Sequence, residues 1–205
     1  AAVLRLLCAI GAGPCREICA LTGASMQTVT RLCKLGLLEQ QEREVLRSPK
    51  QELPPLAEPI TLTDEQQTAF DGLSAQMERE KPGAALLYGV TGSGKTAVYV
   101  ALIQKALDEG RSAMLLVPEI ALTPQLLGRM TAHFGKTVAV LHSSLRVGER
   151  YDEWRRIARG EARVVVGTRS AVFAPLQSPG LLILDEEQEH TYKSENAPRY
   201  HAREI

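Results

Sequence analysis

Apolar residues return every three or four positions through the first fifty residues, and after residue 80 they gather instead into short unbroken runs. Val3, Leu6, Leu7 and Ile10 predict a first helix, ended by the Gly11-Ala12-Gly13-Pro14 turn. Cys15 to Leu21 predicts a second. Ser25 is a natural cap for a third, with Val29, Leu32, Cys33 and Leu35 inward and Gly36 as its stop. Leu37-Leu38-Glu39 and Glu44-Val45-Leu46 then read as two short strands around a polar turn. Residues 1–50 therefore follow a winged helix-turn-helix pattern. Its third helix turns Gln27, Thr30, Arg31 and Lys34 outward, the placement of a DNA-recognition helix. The same face suits a solvated helix on a protein-docking module.

A proline-rich stretch from Ser48 to Pro59, with residues 51–59 as its linker, separates this piece from residues 60–205. There the runs Ala84–Tyr88, Ala113–Val117, Val138–Leu141, Val164–Val166 and Leu181–Leu184 are the mark of strands covered on both faces. Helical stretches fall between them, near 95–109, 123–134 and 147–159. Strands alternating with helices make a three-layer parallel α/β domain.

Composition narrows the class without naming a function. The chain has 205 residues, 44% hydrophobic and 23% charged, which excludes disorder, collagen and coiled coil. No apolar run approaches the roughly eighteen residues of a membrane span, and the start Ala1-Ala2-Val3-Leu4-Arg5 lacks a signal pattern, so a cytoplasmic protein with no membrane partner is expected. Lys plus Arg is 24 and Asp plus Glu is 24, so any anionic partner must be held by local patches. A start without Met and a stop just after a charged, aromatic segment read as an excised fragment. Cys8, Cys15, Cys19 and Cys33 form no CxxC pair and lie on or beside apolar stripes, which predicts small buried thiols.

Two motifs carry chemistry. Gly89-Val90-Thr91-Gly92-Ser93-Gly94-Lys95-Thr96 fits GxxxxGK[ST] between a predicted strand and a helix. Its amides and the helix N-terminus can wrap phosphates, Lys95 can neutralise the β and γ phosphates of ATP, and Thr96 can ligate Mg2+. The run Leu181–Leu184 ends in Asp185-Glu186-Glu187, placing carboxylates at the edge where open α/β sheets bind ligands. Asp185 would hold magnesium and Glu186 would orient or deprotonate the attacking water.

Asp185-Glu186-Glu187-Gln188 resembles the DExx box of superfamily 2 helicases. The phosphate loop resembles that of the replication-restart helicases of this superfamily, as do the segments Val117–Gln125, Leu141–Leu145, Gly167–Pro175, Tyr192-Lys193 and Pro198–Arg203, in the same order. The resemblance implies a RecA-like helicase lobe over 60–205 and a winged helix before it. It implies an ATP-dependent 3′ to 5′ DNA helicase acting at stalled forks and in primosome assembly. Expected partners are branched and single-stranded DNA, the single-stranded-DNA-binding protein and primosome loading proteins. The family's zinc belongs to a part with no counterpart here, and its second lobe supplies a transition-state arginine, so this chain should bind nucleotide and turn it over poorly. A RecG-like or restriction-type translocase, or an ATP-gated DNA-binding switch, are the competing readings.

Single residues follow from the resemblance. Leu62-Thr63-x-x-Gln66 is similar to the motif in which a glutamine reads the adenine edge, and it is equally a capping box with Thr63 as cap. Thr123, Thr168 and Arg169 would hold phosphates of single-stranded DNA, with a structural ion-pair role open to Arg169. Tyr192, Lys193, Arg199 and Tyr200, with His190 and His201, match an aromatic and basic DNA-sensing loop, although Tyr200 and His201 equally suit a core. The family has His where this chain has Gln188, a departure that bears on signalling to the second lobe.

Overall fold

The chain, described by a computed structural model over residues 2–41, 60–79, 81–90, 92–195, 197 and 199–205, divides into two units, Ala1–Val45 and Leu46–Ile205. In the first, helices α1 (Ala2–Ile10), α2 (Cys15–Thr22) and α3 (Met26–Lys34) contribute one buried residue each, Val3, Ile18 and Val29. Ser25 caps α3 as expected, its side chain accepting from the Thr28 amide. The end of α3 is a Schellman turn. The Leu37 amide donates to the Leu32 carbonyl and the Gly36 amide to the Cys33 carbonyl, which needs the φ of +70° that Gly36 supplies.

Three expectations for this unit change. Leu35 lies past the helix end and is 63% exposed, not inward. Leu37-Leu38-Glu39 form no strand among the described residues, and the second expected strand, Glu44-Val45-Leu46, and the 51–59 linker lie outside them. The thiols are not buried: Cys8 is exposed and Cys15, Cys19 and Cys33 are half-buried, since so small a unit covers little of its apolar surface.

The second unit is built on four parallel strands, β1 (Ser112–Leu116), β2 (Val138–Leu141), β3 (Val164–Gly167) and β4 (Pro179–Leu184), in the order β2-β3-β1-β4. Successive strand residues point to opposite faces. Ala113, Leu115, Val117, Val164, Val166 and Ile183 pack under α5 (Lys95–Asp108) and α6 (Pro124–Phe134). Met114, Leu116, Ala139, Leu141 and Val165 meet Ile157 of α7 (Val147–Ala158) together with Ala171, Tyr192 and Ala202. The result is the expected three-layer α/β arrangement. Before it, α4 (Asp64–Met77) packs beside α5.

At the edge strand β2, the buried Glu153 accepts from the Val140 amide at 3.3 Å and pairs with Arg156, which reaches the Val138 carbonyl; open strand groups are thereby covered. At the end of β3, a Cβ on Gly167 would strike the Leu141 carbonyl, so the close approach that lets the chain turn toward Thr168 requires glycine. Among the described residues no helix is long and apolar enough to cross a membrane.

Ala84–Tyr88, expected as the first buried strand, joins no ladder. Leu87 packs against the core with Ile60 and Met77, whereas Leu86 and Tyr88 are 74% and 91% exposed. An apolar run marks a segment that can be buried. Membership of a sheet depends on which strand edge is beside it, and that is a non-local property.

Candidate active site

Of the phosphate loop, Gly89, Val90, Gly92, Ser93 and Gly94 are described and Thr91 lies outside the described residues. Gly92 and Gly94 take φ of +83° and +81°, which turns the chain sharply into the first turn of α5, where Lys95 and Thr96 stand. Lys95 folds back on the loop, its Nζ donating to the Gly89 carbonyl at 2.7 Å and the Val90 carbonyl at 3.1 Å. A phosphate must draw the ammonium away from these two neutral acceptors, which a charged acceptor does.

Gln66 uses its amide at both ends. Its Oε1 accepts from the Thr63 amide at 3.0 Å while Thr63 Oγ1 accepts from the Gln66 amide, the capping box of α4. Its Nε2 donates to the Ser93 carbonyl at 3.1 Å, tying α4 to the loop. A Cβ on Gly94 would displace that Nε2 from Ser93, while the φ of +81° is what requires glycine there.

Asp185 follows β4 directly and is held from three directions. Its amide donates to the Leu116 carbonyl of β1 at 2.9 Å. Tyr99 on α5 donates its hydroxyl to Asp185 Oδ1 at 3.0 Å. The Tyr192 hydroxyl lies 2.5 Å from the Asp185 carbonyl and 3.0 Å from that of Leu116, one proton shared between two acceptors. Burial, and then the negative charge of Asp185, push the phenols of Tyr99 and Tyr192 well above the ordinary tyrosine value, so both remain donors.

Glu186 is exposed and takes φ of +48°, left-handed backbone that a non-glycine residue adopts at a cost. The turn is closed by the Glu189 amide on the Glu186 carbonyl at 2.9 Å. Glu187 instead pairs with Arg203 at 2.7 Å, and Gln188 is exposed.

A magnesium ion prefers hard oxygen donors and keeps waters and phosphate oxygens among its ligands. Thr96 and Asp185 are such donors, and among the described residues Asp185 Oδ2 takes no protein hydrogen bond. No group of three or more His, Cys, Asp or Glu side chains gathers among the described residues to hold a metal by itself. The donor set fits magnesium that arrives with a nucleotide.

The expected nucleic-acid contacts divide. Gln27, Arg31 and Lys34 are exposed together on α3 and, with Met26 and Thr30, line a shallow groove. Thr123 is exposed and caps α6, its Oγ1 accepting from the Leu126 amide at 3.3 Å. Thr168 is only 3% exposed. Arg169 is half-buried, and its Nη1 donates to the carbonyls of Thr191 and Lys193, at 3.2 and 3.0 Å, which staples the following segment. Tyr192 has no exposed surface and offers no ring face to a base. Thr168 and Tyr192 are thus buried and Arg169 is tied to main-chain carbonyls, as befits a segment after a buried strand whose backbone groups need partners.

Lys193 and Arg199 are exposed on either arm of a small hairpin, which Lys193 and His201 join by an antiparallel bridge. Tyr200 is half-buried, edge-on to the half-exposed ring of Phe173 with centroids 4.9 Å apart. Sequence reasoning passed over Tyr99, although its spacing held the signal: it stands four residues after Lys95, on the same face of the helix.

Comparison with known proteins gives a consistent result. The DEAD/DEAH box helicase family matches residues 63–204. The replication restart protein PriA of Bacillus subtilis is 48% identical over 193 residues, covering 94% of this chain and 24% of that protein. PriA of Synechocystis is 44% identical over 182 residues, covering 88% of this chain and 22% of that protein. The chain thus spans about a quarter of the length of these curated relatives. Among solved structures, RecG bound to a three-way DNA junction is similar, with a TM-score of 0.56 and 27% identity over 70% of this chain and 20% of that one.

Proposed function

Because the chain belongs to the DEAD/DEAH box helicase family, we propose that it forms the nucleotide-binding lobe, preceded by a DNA-contacting unit, of an ATP-driven DNA helicase of replication restart. The observation that carries this reading is the bond from Tyr99 to Asp185, which joins the phosphate-loop helix and the carboxylate strand end into one site.

In this site Lys95 and the loop amides hold the β and γ phosphates, and Gln66 turns its amide to the adenine edge. Magnesium, held by Thr96 and Asp185, neutralises phosphate charge when bound. Glu186 takes the proton of the attacking water as the β–γ bond breaks. Turnover by this chain alone is slow, because the arginine that stabilises the transition state comes from a second lobe.

The relatives named for replication restart, and the RecG neighbour bound to a junction, support stalled forks and other branched DNA as the substrate. Movement is 3′ to 5′. Gln27, Arg31 and Lys34 contact duplex DNA from a winged helix, while Thr123, Lys193, Arg199 and Tyr200 lie along single-stranded DNA. The protein works in the cytoplasm with the single-stranded-DNA-binding protein and primosome loaders, and zinc belongs to a region with no counterpart in these residues.

A strand-displacement assay on forked duplexes, with the intact helicase, tests this. ATP-dependent release of the strand ahead of a 3′ to 5′ motor is expected. DNA affinity that follows nucleotide state without any unwinding would favour an ATP-gated switch.

A further inference from the structure

Two buried phenols flank Asp185 and satisfy their hydroxyls differently. Tyr192 is fully buried and its hydroxyl meets only main-chain carbonyls, those of Leu116 and Asp185. That arrangement secures backbone and serves folding. Tyr99, 7% exposed, donates its hydroxyl hydrogen bond to a side-chain carboxylate oxygen 86 residues away in sequence. A buried hydroxyl requires some partner, but a partner of this kind restricts the rotamer of the one carboxylate placed to meet a metal.

We infer that Tyr99 is a positioning residue for magnesium: by donating to Oδ1 it fixes the plane of the Asp185 carboxylate and leaves Oδ2 for the ion. The inference rests on the proposed ATP site. Tyr99 and Lys95 share one face of α5, a turn apart, so the helix that presents the phosphate-binding amine also sets the metal-binding carboxylate. Metal ligands are commonly oriented by a hydrogen bond to the atom that does not ligate. Without the phenol hydroxyl the carboxylate must be ordered when the ion binds, and the ion binds less tightly.

Tyr99→Phe keeps the ring among its α5 and sheet neighbours and removes the donor alone. Calorimetry with a non-hydrolysable ATP analogue, in excess Mg2+ and again in chelator, separates metal-dependent from metal-independent affinity. The gain in affinity that Mg2+ confers should fall about three- to tenfold in Tyr99→Phe, the range of one hydrogen bond, with affinity in chelator unchanged. An unaltered Mg2+ gain, or an equal loss in both conditions, would make the hydroxyl merely structural. Asp185→Asn reads the same bond from its other end. Added to Asp185→Asn, Tyr99→Phe should cost no further Mg2+ gain, and a further loss would show that Tyr99 acts through another group. A wild-type chain that bound no nucleotide would overturn the ATP site as well, whereas normal wild-type binding with an indifferent Tyr99→Phe would overturn this inference alone.

Discussion

Asp185 directly follows a strand hydrogen-bonded to β1 and is held through its amide, its carbonyl and one carboxylate oxygen; the phosphate loop follows a segment that joins no ladder and is tethered by Gln66 at Ser93. Around Asp185 the contacts come from β1, α5 and the turn at Tyr192, so packing sets its position. In the loop, glycine φ values and a lysine folded on its own carbonyls set the shape, and each is local. A preorganised carboxylate loses little freedom when a cation arrives. A loop closed on its own lysine relies on phosphate charge to rearrange it.

The largest expected effect breaks the packed side of this contrast. Tyr192→Ala should lose about 3–5 kcal/mol of unfolding free energy, as other buried aromatic truncations do, measured by denaturant titration. Loss of only a few tenths would mean that Asp185 is not secured by packing. On the loop side, Lys95→Ala should leave the unfolding midpoint nearly unmoved while MgATP affinity falls at least about thirtyfold, the cost of removing one member of a charge pair. Calorimetry reads the affinity, and an unchanged value removes the phosphate-loop assignment.

Glu186→Asn sharpens the boundary between the two regions. Asn tolerates left-handed backbone better than Glu, so stability should rise by up to about 1 kcal/mol while hydrolysis in the intact helicase is lost. A stabilised variant that still hydrolyses ATP would transfer the catalytic role, with Glu187 the first alternative despite its pairing to Arg203.

The smallest effect lies away from both regions, in α6. Partial burial and then the Arg129 cation hold His133 below its ordinary value of about 6.5. The unfolded chain therefore takes up this proton at higher pH than the folded chain does. The contribution is fully present above the ordinary histidine value and is lost as pH falls from there through the lowered value of the folded chain. A small decline in thermal midpoint below about pH 6.5 should disappear in His133→Gln, and an unchanged decline would assign it to another group.

Much of this molecule was legible as local pattern. The apolar runs at 113–117, 138–141, 164–166 and 181–184 became β1 to β4, and Ser25 and Thr63 became helix caps. Both depend on residues within a few positions of one another. The glycine spacing of the phosphate loop was equally readable, because positive φ is a property of a single residue. Gln66 shows where that ends: its capping bond is three residues long and predictable, while its bond to Ser93 spans 27.

The sequence alone determined the helices and the four runs that became β1 to β4, where the phosphate loop begins and which carboxylates follow the last strand. Only the tertiary structure decided that Ala84–Tyr88 stays out of the ladder, that Arg169 turns back to the carbonyls at 191 and 193, that Tyr192 is core, and that Tyr99 reaches Asp185. Helix and strand periodicity follow from near-neighbour geometry. A partner 22 or 86 residues away exists only after the sheet order has brought both ends to the same edge.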